Sequence, residues 1–150
     1  MHSKTVLLID DEQSFLEPLA DALESEGYRV LKAKNADEAF DFLENEHIDL
    51  VTIDIMLDPG GAFEDDIDSH STGLRLCEEI RRGWPKIDAF CISVVSETQI
   101  IKKIESLGVR FLRKGETPLR TVLNMLRSRL TGIAYSTERD QKDSRRTDKK

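Results

Sequence analysis

Short apolar runs alternate along the chain with longer segments in which apolar residues recur every three or four positions. Runs of the first kind predict strands buried in a parallel sheet, and segments of the second kind predict amphipathic helices. The predicted strands are Thr5–Ile9, Arg29–Ala33, Ile48–Ile53, Ala89–Val95 and Val109–Leu112. The predicted helices are Ser14–Glu26, one capped by Asn35 and Glu38, Gly73–Arg82, one capped by Ser96 and Gln99, and one that starts at Thr117-Pro118 and runs past Leu130 toward Tyr135. Strand and helix therefore alternate five times.

This alternation predicts an α/β fold, because parallel strands are joined by right-handed crossover helices that cover both faces of the sheet. We expect a flavodoxin-like, doubly wound sheet of five parallel strands in the order 2-1-3-4-5, with five helices. In that order the ligand crevice lies at the carboxyl ends of strands 1 and 3, where the strand order reverses. Asp10 and Asp11 follow the first of these strands, and Asp54 follows the second.

These three carboxylates would repel one another and raise one another's pKa values, so the cluster calls for a cation. Mg²⁺ suits the position because it prefers oxygen ligands and is commonly held by one or two carboxylates together with phosphate oxygens. An aspartate can also act as a covalent nucleophile and form an aspartyl phosphate. The remaining central strands end near Ser93 and Lys114, which supply a hydroxyl donor and a cation for phosphoryl oxygens.

The domain is expected to span residues 1–135, with an acidic loop inserted at residues 58–72 and a disordered, charged tail at residues 136–150. The loop carries Glu64, Asp65, Asp66 and Asp68. It is either a solvated insertion or a lid that alters metal binding, phosphate lifetime or the choice of kinase. Its residues do not fit an EF-hand, because the required glycine and the final glutamate are absent.

Composition narrows the function classes. Hydrophobic residues make up 39% and charged residues 34% of the chain, which is typical of a globular protein in water, and no run is long enough to cross a membrane. A net charge of −7 disfavours direct contact with nucleic acid or anionic lipid. The sequence predicts a cytoplasmic location. Cys77 and Cys91 lie on separate predicted elements without metal-ligand spacing, so we expect reduced packing residues.

The chain resembles the receiver domains of two-component response regulators from Lys4 to Leu130. The resemblance rests on the segments LLIDDE with Asp10 and Asp11, TIDIML with Asp54, CISVV with Ser93, and FLRKG with Phe111 and Lys114. Each segment alone is a weak signal, but all of them occur in order, each at the end of its predicted strand. The resemblance implies a phosphorylation-dependent signalling domain.

The resemblance also implies a role for each matching residue. Asp54 would accept a phosphoryl group from a histidine kinase or a histidine phosphotransfer protein, either as a switch or as an intermediate of a phosphorelay. Mg²⁺ would be bound by Asp10, Asp11, Asp54 and the backbone carbonyl of Met56, and Lys114 and Ser93 would contact the phosphoryl oxygens. Ser93 and Phe111 would form a switch pair.

Signals in this family usually leave through the face formed by helix 4, strand 5 and helix 5. The extended fifth helix also indicates a possible dimer seam, so monomer and homodimer both stay open. Nothing after Tyr135 predicts an output domain, so the expectation is a stand-alone receiver that signals to a partner protein. It is not expected to be an enzyme beyond its own phosphorylation and slow dephosphorylation.

In addition to the inserted loop, two positions depart from the family pattern. Gly115 follows Lys114 where many receivers have proline, which leaves the geometry of that loop open. Val94 replaces the small residue that usually follows the switch hydroxyl, and its bulk is expected to slow access to the phosphoryl group.

Other functions are weighed against the receiver. A phosphate-independent pseudo-receiver that acts only as an interaction module is the main alternative. A hydrolase working through an aspartyl phosphate is disfavoured, because such enzymes place a second acid two residues after the nucleophile, where this chain has Met56. A flavin carrier is disfavoured because the loop after the first strand is acidic where a phosphate would need donors.

Overall fold

The structure, a computed structural model, describes residues 3–55, 69–94 and 97–132. Its strands are β1 Thr5–Ile9, β2 Arg29–Ala33, β3 Leu50–Ile53, β4 Asp88–Ser93 and β5 Arg110–Arg113. Its helices are α1 Gln13–Ser25, α2 Ala36–Asn45, α3 Ser69–Gly83, α4 Thr98–Ser106 and α5 Leu119–Thr131. Each predicted strand and helix is present, in the predicted sequence order.

The five strands form one parallel sheet in the order β2-β1-β3-β4-β5. The predicted fold class and strand order are therefore confirmed. All residues of β1 and β3 are buried, as expected for the central strands of a sheet that helices cover on both faces. The reversal of strand order between β1 and β3 places their carboxyl ends side by side at one edge of the sheet.

Two apolar clusters form the core, one on each face of the sheet. Alternate residues of the strands point to opposite faces, so neighbours such as Cys91 and Ile92 belong to different clusters. The apolar faces of α2, α3 and α4 pack on one side, and those of α1 and α5 pack on the other. Cys77 and Cys91 are buried free thiols in the first cluster, as predicted, and burial raises the pKa of the Cys77 thiol to about 12.

Asn35 caps α2 as predicted, because its Oδ1 accepts a hydrogen bond of 2.9 Å from the amide of Glu38. The Glu38 carboxylate in turn accepts from the amide of Lys34 at 2.9 Å, one residue before the position expected in a capping box. We expect Asn35→Ala to lower the free energy of unfolding by about 1 kcal/mol in urea denaturation. Asn45→Ala, at the exposed end of the same helix, is the matched control. Equal losses in the two variants would contradict the capping role.

The start of α3 and both ends of α5 differ from prediction. Helix α3 begins at Ser69 instead of Gly73, so the last four residues of the segment predicted as a loop, 58–72, are helical. The predicted extension of α5 toward Tyr135 is wrong, because Gly132 has φ of 77° and ends the helix after Thr131. The start predicted for α5 at Thr117-Pro118 also differs, since the helix begins at Leu119 and Pro118 occupies the N-cap without a side-chain bond.

Some predictions fall outside the described residues. They concern Met56, the acidic part of the inserted segment, the proposed cap Ser96, and the tail at residues 136–150. Helix α4 follows Glu97 at its N-cap position, which makes no side-chain cap bond. Among the residues that the structure describes, no helix is both long and apolar enough to span a membrane.

Candidate functional site

Three predicted site residues lie one position beyond the ends of β1, β3 and β5, and backbone hydrogen bonds hold each of them there. The amide of Asp10 donates to the last carbonyl of β2, and the amide of Asp54 donates to the last carbonyl of β1, both at 3.0 Å. The amide of Lys114 donates to the carbonyl of Ser93 at 2.9 Å. These bonds extend the parallel pairing by one residue, so the regular sheet itself fixes the backbone positions of the predicted site residues.

The structure brings Asp10, Asp11 and Asp54 together as the sequence predicted. One carboxylate oxygen of each lies within 4.8 Å of the others, a spacing at which the three could hold one metal ion. Asp10 and Asp54 are buried, whereas Asp11 is exposed. Hard oxygen ligands in a partly open cleft fit Mg²⁺, which retains several water ligands.

Hydrogen bonds hold both the side chain and the backbone carbonyl of Asp10. Its Oδ1 accepts a hydrogen bond of 2.8 Å from the amide of Glu12, and its backbone carbonyl accepts one from the side chain of Gln13. Burial raises the pKa of the Asp10 carboxyl from 3.8 to about 6, and the nearby charge of Asp54 adds to the rise, while bonds from Lys114 and the Glu12 amide oppose it. The carboxylates thus lie where their charge needs compensation.

Lys114 supplies that compensation. Its Nζ lies 2.8 Å from Oδ2 of Asp10, 2.8 Å from Oε1 of Glu12 and 3.4 Å from Oδ2 of Asp54. The ring of Phe15 lies against the same ammonium, with the centroid 4.6 Å from Nζ. Burial alone would lower the pKa of Lys114, but the bonds to Asp10 and Glu12 and the charge of Asp54 raise it above its usual value. The side chain is therefore a fixed cation at the centre of the site.

Ser93 and Phe111 lie on the same face of the sheet, the one covered by α4. Ser93 is fully buried at the end of β4, and Phe111 is half-buried against the core cluster on this face. In the register of β4 and β5, Phe111 is paired with Cys91, two residues before Ser93. Val94, the next residue, leaves the sheet and is 61% exposed beside the carboxylate edge.

Gly73 touches the backbone that follows Asp54. A Cβ atom at Gly73 would lie 2.1 Å from the carbonyl oxygen of Ile55 and 2.3 Å from its Cα. Helix α3 therefore packs directly on the residue after Asp54, and only glycine permits this approach. The thiol of Cys91 also contacts the backbone of Ile55, so this residue is held between α3 and β4.

Three features of the site escaped the sequence analysis. Glu12 and Phe15 were not predicted to contact Lys114, since a residue separation of about one hundred leaves no local signal. Gly73 was predicted to open α3, whereas it lies inside the helix and serves as the contact with Ile55. The acidic run Asp10-Asp11-Glu12 was the available clue to the first of these contacts, because its concentrated negative charge attracts a nearby cation.

The profile of the family described as "Response regulator receiver domain" matches residues 6–125. The phosphate regulon transcriptional regulatory protein PhoB of Pseudomonas aeruginosa is 31% identical over 109 residues, which are 73% of this chain and 43% of PhoB. A cyclic di-GMP phosphodiesterase of Thermotoga maritima is 27% identical over 85% of this chain and 30% of its own length. The chain therefore spans less than half the length of these relatives.

Solved structures show the same fold. A CheY-like receiver domain protein from Methanospirillum hungatei superposes with a TM-score of 0.73 at 22% identity, covering 93% of this chain and 99% of its own. A response regulator from Burkholderia pseudomallei, described with a phosphorylated aspartic acid, a calcium ion and citrate, has a TM-score of 0.66 at 21% identity, over 95% of this chain and 74% of its own.

The family match runs from β1 to about the middle of α5, the strand order agrees with that of receiver domains, and the acidic cluster lies at the expected edge of the sheet. A PhoB relative with more than 30% identity over more than two thirds of the chain supports the same assignment. The chain belongs to the response regulator receiver domain family.

Proposed function

We propose that Asp54 is the phosphoacceptor of this receiver domain and takes its phosphoryl group from the phosphohistidine of a histidine kinase or a histidine phosphotransfer protein. One observation carries the proposal. The buried Asp54 carboxylate faces Lys114 at 3.4 Å, and its oxygens lie within 4.8 Å of those of Asp10 and Asp11. A nucleophile, a cation and a metal-binding acid pair thus converge on one point.

In the proposed reaction a carboxylate oxygen of Asp54 attacks the phosphorus of the phosphohistidine. The new O–P bond forms as the N–P bond breaks, and the electron pair of that bond returns to the imidazole, which takes up a proton from water. Later attack by water on the phosphorus regenerates the carboxylate and releases inorganic phosphate. The domain promotes its own phosphorylation and slow dephosphorylation and otherwise works as a switch.

Mg²⁺ is the cofactor that the donor set fits. Asp10, Asp11 and Asp54 would bind it, together with the carbonyl of Met56, which lies outside the described residues. When bound, the ion would offset negative charge on the phosphoryl group. Lys114 would hold one phosphoryl oxygen as a point charge, and the Ser93 hydroxyl would donate a hydrogen bond to another.

Ser93 and Phe111 would transmit phosphorylation at the site to the surface of the domain as a conformational change. Movement of Ser93 toward the phosphoryl group would leave space on the α4 face, into which Phe111 can turn from its half-buried position. The surface formed by α4, β5 and α5 would then change its partner affinity. On this surface Lys102, Arg110 and Arg120 are exposed and make no ion pair with the described residues. Their positive charge favours a partner protein with acidic side chains.

Intact mass after incubation with acetyl phosphate tests the proposal. We expect the native chain and an Asp21→Asn control to gain one phosphoryl group in the presence of Mg²⁺ and none in EDTA. Asp54→Asn should gain none in either condition, because the amide is not a nucleophile. No gain in the native chain would reject the phosphoacceptor function in favour of the phosphate-independent interaction module.

A further inference from the structure

The Lys114 ammonium has three N–H donors, and three carboxylates surround it at rest. Its shortest contacts are to Asp10 and Glu12, both at 2.8 Å, and the longest is to Asp54 at 3.4 Å. A phosphoryl group on Asp54 brings additional acceptor oxygens and a charge of about −2 to this position. Phosphorylation also converts the Asp54 carboxylate into an acyl phosphate, so the contact of 3.4 Å is lost. A phosphoryl oxygen that approaches Lys114 to hydrogen-bond distance then competes for N–H donors with the two carboxylates held at 2.8 Å.

Glu12 is the carboxylate able to leave. The side chain of Asp10 is 3% exposed and starts at a strand end fixed by a backbone bond, so it cannot turn into water. The Glu12 side chain is 60% exposed, and its residue is the N-cap of α1, outside the sheet. Hydration of its carboxylate costs little, because most of the side chain already contacts solvent.

Lys114 cannot follow Glu12 into solvent. Its side chain is only 8% exposed, and the ring of Phe15 covers one side of the ammonium at 4.6 Å. Its Nζ also stays in contact with Asp10, which is buried. When the bond to Glu12 breaks, the freed N–H donor stays within the site, where a phosphoryl oxygen on Asp54 can accept from it.

We infer that Glu12 is a displaceable positioning residue, a resting partner that holds Lys114 ready and is replaced by a phosphoryl oxygen when Asp54 is phosphorylated. The inference rests on the proposed function of Asp54. The Glu12 carboxylate would compete with the phosphoryl group for Lys114 and so lower the stability of the phosphorylated state relative to the resting state. Loss of the charge at Glu12 should then favour phosphorylation.

Beryllofluoride, a phosphoryl mimic, is the probe for this competition. In the presence of Mg²⁺ we expect Glu12→Gln to bind it about two- to fivefold more tightly than the native chain, as the loss of an exposed ion pair implies. Glu116→Gln is the matched control, because it removes the same charge two residues from Lys114 at a side chain that pairs with Arg113 instead. Its affinity should match that of the native chain.

A second measurement observes the Lys114 ammonium directly by NMR in the metal-free protein. Enclosure by Asp10, Glu12 and Phe15 should protect the ammonium protons from exchange and give Lys114 a resolved ¹⁵N signal near neutral pH. We expect Glu12→Gln to shift this signal and speed its exchange, and Glu116→Gln to leave both unchanged. If Glu12→Gln leaves the Lys114 signal unchanged, the contact between Glu12 and Lys114 is wrong.

Equal or weaker beryllofluoride binding by Glu12→Gln would overturn the inference, as would an equal gain in Glu116→Gln, which would show a general effect of charge. Failure of the native chain to bind beryllofluoride or to accept a phosphoryl group would instead reject the proposed function of Asp54. The two failures are therefore distinguishable in one set of titrations.

Discussion

Lys114→Met should lower the free energy of unfolding by about 3 kcal/mol in EDTA, because it leaves the carboxylates of Asp10 and Asp54 buried without their cation. This value lies at the lower end for a broken buried pair, since the bond to Glu12 opens to water. Phosphorylation by acetyl phosphate should also slow roughly 10²-fold, as for loss of one donor to a developing charge. Urea denaturation and the time course of the mass gain measure the two effects.

Lys102→Met is the control for this substitution. Lys102 is an exposed residue of α4 that forms no ion pair with the described residues, so the change should be neutral within about 0.5 kcal/mol. Mg²⁺ should restore part of the stability of Lys114→Met, because a bound cation replaces the missing charge and stabilises the folded state by mass action. A variant as stable as the native chain in EDTA would show that Lys114 does not compensate the buried carboxylates.

Gly73→Ala should destabilise the domain by about 1–3 kcal/mol, although alanine favours helices more than glycine does. The added Cβ would lie 2.1 Å from the carbonyl oxygen of Ile55, so α3 or the backbone after Asp54 has to move. Because Ile55 is fully buried and follows Asp54 directly, we also expect slower phosphorylation. Urea denaturation and the rate of mass gain with acetyl phosphate test both consequences.

The same helix offers the matched control. A Cβ atom at Gly83, the last residue of α3, would meet no atom within 4 Å. Gly83→Ala should therefore be neutral or stabilise the domain by up to about 1 kcal/mol through helix propensity alone. If Gly73→Ala behaves like Gly83→Ala, the close packing of α3 on Ile55 is wrong.

The fold was predictable because strands buried on both faces leave continuous apolar runs, and helices covering a sheet leave apolar residues at helical spacing. Helix ends were less predictable. The start of α3, from Ser69, has no apolar residue before Leu74 that would extend the helical pattern. At α5 the apolar residues Ile133 and Tyr135 favoured continuation, and the stop signal of Gly132 was overlooked.

The site was predictable where it depends on topology. Residues after β1 and β3 must meet at the reversal of strand order, so the proximity of Asp10, Asp11 and Asp54 followed from the strand order. The partners of Lys114 on α1 depend on how side chains pack across helix and loop, and no residue spacing encodes that. The contacts of Glu12 and Phe15 therefore required the structure.

The central claim is that the phosphoryl group is carried by Asp54, and borohydride trapping tests it most directly. Borohydride reduces an aspartyl phosphate to homoserine and releases phosphate, so peptide mass mapping after phosphorylation with acetyl phosphate and Mg²⁺ locates the acceptor. We predict homoserine at position 54 alone, and none when Mg²⁺ is withheld. Homoserine at another aspartate, or a phosphoryl group that borohydride does not remove, would contradict the account.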